Sequence, residues 1–169
     1  MTPPSIDPTS ATVADQVLTF VIGDATYGID IPCVQEIRGW SPVTRLPQAP
    51  ADVLGVLNLR GAIVPVLDLR LKFGNTNVQY TPVTVIIVVS VTSAKGRREF
   101  GMVVDGVSDV IDLLPQDVKP APDLGDGASG RYIRGLVPVA GRMVILLDIE
   151  RLIGKEYSIV GPEDATQAA

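Results

Sequence analysis

The sequence predicts an all-β chain made from two copies of one β unit, and three observations carry that prediction. Gly55–Gly74 (GVLNLRGAIVPVLDLRLKFG) returns without a gap 80 residues later as Gly135–Gly154 (GLVPVAGRMVILLDIERLIG). In that alignment Gly55 meets Gly135, Gly61 meets Gly141, Val64 meets Val144, Leu67 meets Leu147, Asp68 meets Asp148 and Gly74 meets Gly154. The earlier parts of each copy also match, at an offset of 73: Tyr27-Gly28-Ile29 against Phe100-Gly101-Met102, Val34 against Val107, Ile37 against Val110. A constant offset within each half, with one insertion between, marks a duplication. Finally, 16 Gly and 14 Pro divide the chain into short apolar runs, the spacing of strands and turns. Two small barrels are the simplest architecture. Neither is large enough to bury much core alone, so they are expected to pack together and leave a cleft between them.

The elements follow in order. Val17–Ile22 reads as a strand, Gly23-Asp24 as a turn and Thr26–Ile29 as the returning strand. Ile31–Val34 suits one helical turn entered through Pro32, whose missing N–H would be an orphan donor there. Val34–Gly39 is extended again, and Pro42, Pro47 and Pro50 break the next stretch into a loop. Val53–Arg60 and Ala62–Leu67 form a hairpin around Arg60-Gly61, and Asp68–Phe73 is a short helical segment stopped by Gly74. The second copy repeats the plan. Val83–Val91 (VTVIIVVSV) is apolar on both faces, as a strand covered on both sides must be. Ser93–Arg98 reads as a polar hairpin tip, Glu99–Val104 and Val107–Ile111 as strands, and Leu114–Gly130 as a long loop. Tyr132–Val139 and Arg142–Leu147 make the second hairpin, followed by a helical Asp148–Ile153. The expected organisation is a disordered tail over 1–15, one domain over 16–156 and a tail over 157–169. Its subdomains span about 17–78 and 83–154, with strand exchange between them left open.

Composition excludes several function classes. Lys+Arg 14 against Asp+Glu 19 leaves a net charge of −5, the wrong field for binding nucleic acid. An oligonucleotide-binding barrel would also need an aromatic-rich basic face, and the chain has one Trp, four Tyr and three Phe. The chain has no histidine, which removes the usual general base and the commonest zinc ligand. Cys33 is the single cysteine, so no intrachain disulfide forms, and it reads as a small buried hydrophobe. The N-terminus lacks a basic start and an apolar run, and no apolar stretch is long enough to span a bilayer as a helix. A soluble, cytoplasmic protein without direct membrane insertion is expected.

Most motifs have plain structural readings. Gly125–Gly130 fits the spacing GxGxxG, but it is not followed by a helix that could cradle a phosphate. Asp68 and Asp148 precede helical turns at equivalent positions and read as N-caps rather than as a catalytic pair. Lys95, Arg97 and Arg98 solubilise a hairpin tip. No metal or cofactor site is expected. Arg60 differs from these. It stands among almost wholly apolar runs, so its guanidinium must snorkel, pair or await a partner. A structural ion pair, for instance with Glu36, is one account of it. However, the second copy has Pro138-Val139-Ala140 where the first has Asn58-Leu59-Arg60, so the barrel does not need the arginine. That favours a specialised surface in the first copy.

The same residues carry a family resemblance. Tyr27–Arg38 (YGIDIPCVQEIR), Gly55–Arg70 (GVLNLRGAIVPVLDLR) and Gly101–Val110 (GMVVDGVSDV) resemble, in order, three signatures of the CheW family of bacterial chemotaxis coupling proteins. Lys119–Asp123 (KPAPD) and Leu146–Glu150 (LLDIE) fit as well. The resemblance covers roughly residues 16–155. It implies two pseudo-symmetric five-stranded, SH3-like β-barrel subdomains with short helical turns, sharing a middle. It also implies a non-enzymatic adaptor joining the regulatory domain of the histidine kinase CheA to the cytoplasmic tips of methyl-accepting chemoreceptors. Ring-forming self-association is compatible with it. A scaffold of a non-flagellar chemosensory pathway, serving surface motility or biofilm control, is the alternative that no residue separates.

Receptor tips are helical hairpins, which need an apolar floor and a few polar pins. Val34, Ile37, Val85, Ile87, Val104 and Val107 are the candidate floor, and Glu36 and Arg60 the pins, with Gly61 beside Arg60. By resemblance, Val34, Glu36, Arg60 and Gly61 match receptor-coupling positions. By the same resemblance, Val43, Thr44 and Arg45 fall on one kinase face, and Lys119 and Leu124 on the other.

Overall fold

The computed structural model describes residues 15–93, 96–121 and 131–153. Ten strands form two five-stranded sheets. They are β1 (Asp15–Ile22), β2 (Ala25–Asp30), β3 (Val34–Gly39), β4 (Val53–Leu59), β5 (Ala62–Asp68), β6 (Val85–Ser93), β7 (Gly96–Val104), β8 (Gly106–Leu113), β9 (Ile133–Val139) and β10 (Arg142–Leu147). Two short helices, α1 (Leu69–Lys72) and α2 (Ile149–Ile153), follow β5 and β10. A 3₁₀ turn over Ile31–Cys33 carries Pro32 near its start, where a proline is tolerated. The predicted strands are present, with ends shifted by a few residues: β1 begins at Asp15, and β6 and β7 run on to Ser93 and Gly96. Arg97 and Arg98 are therefore within β7, not in a hairpin tip. Lys95, Leu124, the glycine-rich stretch 125–130 and both tails beyond Asp15 and Ile153 lie outside the described residues.

The sheets are built across the repeat rather than within it. One has the order β8-β1-β2-β10-β9, the other β3-β6-β7-β5-β4. Exchanging each first-copy strand for its second-copy counterpart turns one order into the other. The halves 17–78 and 83–154 are thus sequence units, and each sheet takes two strands from one of them and three from the other. Parallel pairing makes the junction: Val66 opposes Gly101, and its repeat equivalent Leu146 opposes Gly28.

Three apolar clusters follow from strand alternation, since successive side chains point to opposite faces. On β6, Ile86 and Val88 point into one barrel with Leu59, Val64, Val66 and Val103. Ile87, Val89 and Val91 point the other way, into a core shared by both sheets with Leu18, Phe20, Ile29, Phe100, Met102 and Leu147. Val17, Leu113, Val137, Val144 and Leu146 fill the second barrel. This is why Val83–Val91 reads apolar on both faces.

Each sheet is closed by its own chain. After edge strand β3 the backbone returns at Thr44 and bridges Val56 on the opposite edge strand β4; after β8 it returns at Lys119 and bridges Leu136 on β9. Val56 and Leu136 are repeat equivalents. The approach is close enough to demand glycine next door: a Cβ on Gly55 would sit 2.0 Å from the Thr44 carbonyl oxygen, and one on Gly135 would sit 2.9 Å from that of Lys119.

Both aspartates cap their helices. Asp68 Oδ1 accepts from Arg70 N at 2.9 Å, and Asp148 Oδ1 accepts from Arg151 N at 3.1 Å. Cys33 is half-buried against the shared core, and its thiol donates to the Asp30 carbonyl at 3.0 Å. Burial, and then the Asp30 charge, push its pKa up to about 11. Since the thiolate is the reactive form, Cys33 should react with a disulfide reagent at pH 8 on the order of 100-fold slower than a free thiol. The rate should rise only as pH approaches the raised pKa. Stopped-flow titration of the native and denatured chain checks this, and equal rates would contradict it.

Candidate functional site

The candidate residues gather along edge strand β3, and a bulge decides which way each one points. The register slips between Val34 and Glu36, so Val34 opposes Val89, Glu36 opposes Val88 and Ile37 opposes Ile87. Directly opposed residues share a face. Val34 and Ile37 therefore lie on the side of the shared core, while Glu36 and Arg38 turn toward the first barrel. Without the extra residue, Val34 and Ile37 could not share a face. Ile37 is 45% exposed at the rim of the shared core, a large apolar side chain only partly covered. Val34, Val85 and Val107 are half-buried and packed against that core.

Two floor candidates are corrected. Ile87 and Val104 are fully buried within the shared core, on strands β6 and β7 that are covered on both faces. Exposing one such side chain forfeits about 1.5–3 kcal/mol, so neither offers itself to a partner. In their place the structure presents Val110 on β8. It opposes Leu18, a shared-core residue, and is 48% exposed. Val110 is the repeat equivalent of Ile37, so the alignment itself held the signal for it.

Arg60 sits in the two-residue turn between β4 and β5. Its φ of +52° and the +89° of Gly61 are left-handed at both positions, the geometry of a type I′ hairpin. Ala140 and Gly141 repeat it with +50° and +83°. A non-glycine residue in that region costs roughly 1–2 kcal/mol. Asn58 offsets part of this by accepting from Gly61 N at 2.9 Å. The side chain of Arg60 is 69% exposed, and its Nη1 meets Glu36 Oε1 at 2.8 Å. Glu36 also lies 3.5 Å from Arg38 Nη1. The ion pair with Glu36, one of the readings open for Arg60, exists, but near the surface, where such a pair contributes little to stability. The pair joins the edge strand to the tip of the neighbouring hairpin. A partner lying along β3 would meet Val34 and Ile37 on one side and the Glu36–Arg60 pair on the other.

The residues assigned to the two kinase faces occupy equivalent places. Thr44 and Lys119 are the closing bridges of the two barrels, both with exposed side chains. Val43 packs on the first barrel core, and Arg45 is exposed beside it. Arg97, read as part of a solvated tip, instead links three strands. It donates to Ser90 Oγ at 2.8 Å, pairs with Glu99 at 3.3 Å and contacts Gln35 on β3.

Among the described residues no cluster could hold a metal ion, and no helix is long and apolar enough to cross a membrane.

Comparison with known proteins agrees with this architecture. Residues 16–156 match the family model of the CheW-like domain. A chemotaxis protein CheW of Klebsiella aerogenes is 46% identical over 145 residues, covering 86% of this chain and 85% of that one. A chemotaxis protein CheW of Rhizobium meliloti is 38% identical over 141 residues, covering 83% and 88%. The crystal structure of the scaffolding protein TtCheW from Thermoanaerobacter tengcongensis superposes with a TM-score of 0.71 at 27% identity, covering 79% of this chain and 88% of that one. With a strand-exchanged pair of sheets, an ion pair joining an edge strand to a hairpin tip and a family match over nearly all of the described residues, this chain belongs to the CheW family of non-enzymatic chemotaxis scaffold adaptors.

Proposed function

We propose that this protein couples the helical tips of methyl-accepting chemoreceptors to a CheA-type histidine kinase, in the cytoplasm, at membrane-associated receptor arrays. The single observation that carries the reading is Arg60. It is exposed, held in a costly left-handed turn, and present in one copy only, where the barrel itself is content with Ala140. The strain of the turn is common to both copies, since Ala140 bears it too; what sets Arg60 apart is an exposed cation that contributes little to stability, and a partner best explains it. Ile37 and Val110 supply partly exposed apolar contacts on two edge strands, with Val34, Val85 and Val107 beneath. Gly61 keeps the turn that aims Arg60. Such a surface suits an amphipathic helix better than a small molecule.

The kinase's regulatory domain would take the closing bridges. Val43, Thr44 and Arg45 form one face and Lys119 the other, with Leu124 beyond the described residues. Two equivalent faces on one molecule would also permit self-association into rings. Coupling needs the receptor surface and the kinase faces to be held in a defined relation, because tethering alone transmits nothing.

Reversing the charge tests the reading. Arg60→Glu places two carboxylates together, so it should strongly reduce retention on receptor tips while the melting temperature and kinase binding stay near parental values. Unaltered receptor retention, or a collapse of the melting temperature, refutes the assignment. Co-purification with receptors and CheA-type kinases of the same genome identifies the partners.

A further inference from the structure

Among the described residues the chain passes between the two sheets only twice, from β2 to β3 through Ile31–Cys33 and from β7 to β8 through Asp105. These crossings are repeat equivalents: Asp105 aligns with Pro32 at the 73-residue offset. Each is flanked by an open cleft. One of about 610 Å³ is lined by Gly23, Arg70, Asn75, Gln79 and Asp105. The other, about 440 Å³, is lined by Pro32, Cys33, Leu147, Asp148 and Glu150. Two sheets that share one apolar core, and whose backbone crosses between them at just these two points among the described residues, can shift about the line through the crossings, with space beside each.

The two joints are secured differently. Pro32 stiffens the first within its 3₁₀ turn. At the second, the Asp105 carboxylate is shared between the sheets. Its Oδ2 accepts from Gly23 N, in the β1–β2 turn of one sheet, at 2.7 Å. Its Oδ1 accepts from Arg70 Nη1, on the helix that follows β5 of the other, at 2.9 Å. Arg70 in turn is fixed by both oxygens of Asp68 and by the Gln79 carbonyl. The first joint has no such device, since Pro32 and Glu150 stand where Asp105 and Arg70 would be.

We infer that Gly23, Asp105 and Arg70 form a clasp that sets the angle between the two sheets, with Ile31–Cys33 and Asp105 as the hinge. Asp105 and Arg70 are then positioning residues: they contact no partner, yet they hold the β3 surface in one sheet against the Lys119 face in the other. Hinges of this kind use a few residues at element ends, and packed bodies shift between discrete arrangements rather than bending. This functional consequence rests on the adaptor reading; the hinge itself does not.

Spin labels report the angle directly. Ile63→Cys and Met143→Cys, in a Cys33→Ser background, place one exposed label on each sheet at repeat-equivalent positions. The parent should give one narrow distance distribution. Asp105→Ala should shift and broaden it. Asp105→Asn, which keeps an acceptor for Gly23 N but loses the charge, should fall between. If Asp105→Ala fails to fold, the Asn variant decides. An unchanged distribution in a folded Asp105 variant overturns the clasp, whatever the protein binds. A broadened distribution, with receptor and kinase each still bound but kinase activation by receptor lost, supports its role in coupling.

Discussion

Replacing Arg70 with methionine is expected to cost about 3–5 kcal/mol of folding stability, among the largest effects of any single substitution in this chain. The Arg70 side chain is 1% exposed and Asp68 0%. Their contact is bidentate: Nε meets Asp68 Oδ1 at 2.9 Å and Nη2 meets Oδ2 at 2.8 Å. Burial alone would pull the arginine pKa down. The hydrogen bonds and charges of Asp68 and Asp105 overcome this and hold it above the ordinary value, so the cation persists at every accessible pH. Methionine fills the volume but leaves the Asp68 carboxylate in the interior with, among the described residues, Tyr80 OH and the Arg70-position amide as donors. An uncompensated buried charge is far costlier than the pair was beneficial. A second substitution that neutralises the carboxylate, Asp68→Asn, should therefore restore part of the loss. Denaturant unfolding of the single and double variants measures this. If the losses simply add, the two groups do not act as a pair. The Arg70 fork also faces the Tyr80 ring at 4.9 Å, and Tyr80 stacks on Trp40 at 4.3 Å. The segment between the copies should loosen too, visible as faster amide exchange at Asn75, whose N–H is bonded to the Arg70 carbonyl.

Arg70 also shows where sequence reading stopped short. Comparing the copies isolated Arg60 because its counterpart is Ala140, and the same comparison sets Arg70 against Glu150. An arginine two residues after a helix-capping aspartate reads as a solvated charge. Asp105, the Gln79 carbonyl and the Tyr80 ring, which the local sequence does not place beside α1, close around it. Strand identity was legible because alternation and turn chemistry are local. The paired glycines Gly55 and Gly135 appeared in both copies because both barrels close in the same way. Strand exchange was not legible, for a physical reason: β2 and β7 are near-copies, as are β5 and β10, so exchanged and unexchanged pairings make similar local contacts. Ile87 and Val104 were misplaced on similar grounds. A strand apolar on both faces declares that both are covered, but not by what. Val110 could have been found, since Ile37 had already been aligned with it. The bulge that puts Val34 and Ile37 on one face leaves no mark in the residues.

Gly55→Ala should disrupt closure of the first barrel and lose at least the upper end of the ~1–3 kcal/mol usual for overpacking. The new Cβ would lie 2.0 Å from the Thr44 carbonyl oxygen and 2.7 Å from its carbonyl carbon, backbone atoms that no rotamer change can move aside. The φ of +152° at Gly55 adds strain of its own. Relief requires moving the Thr44 strand away from β4. That breaks the reciprocal bonds Thr44 N to Val56 O at 2.9 Å and Val56 N to Thr44 O at 2.8 Å. Gly135→Ala makes a useful internal comparison. Its nearest obstacle is the Val118 Cγ1 methyl at 2.5 Å, which can rotate, and the Lys119 carbonyl oxygen lies at 2.9 Å. The second barrel should thus tolerate the same change better than the first. Hydrogen exchange resolves the mechanism from a general loss of stability: protection at Thr44 and Val56 should fall well before that at β6 and β7, the covered strands of the same sheet. Equal losses in the two glycine variants would mean that the close approach at Thr44 is not what demands glycine. If the proposed kinase face is correct, displacing Thr44 should also weaken kinase binding in the Gly55 variant, with the receptor surface along β3 left in place.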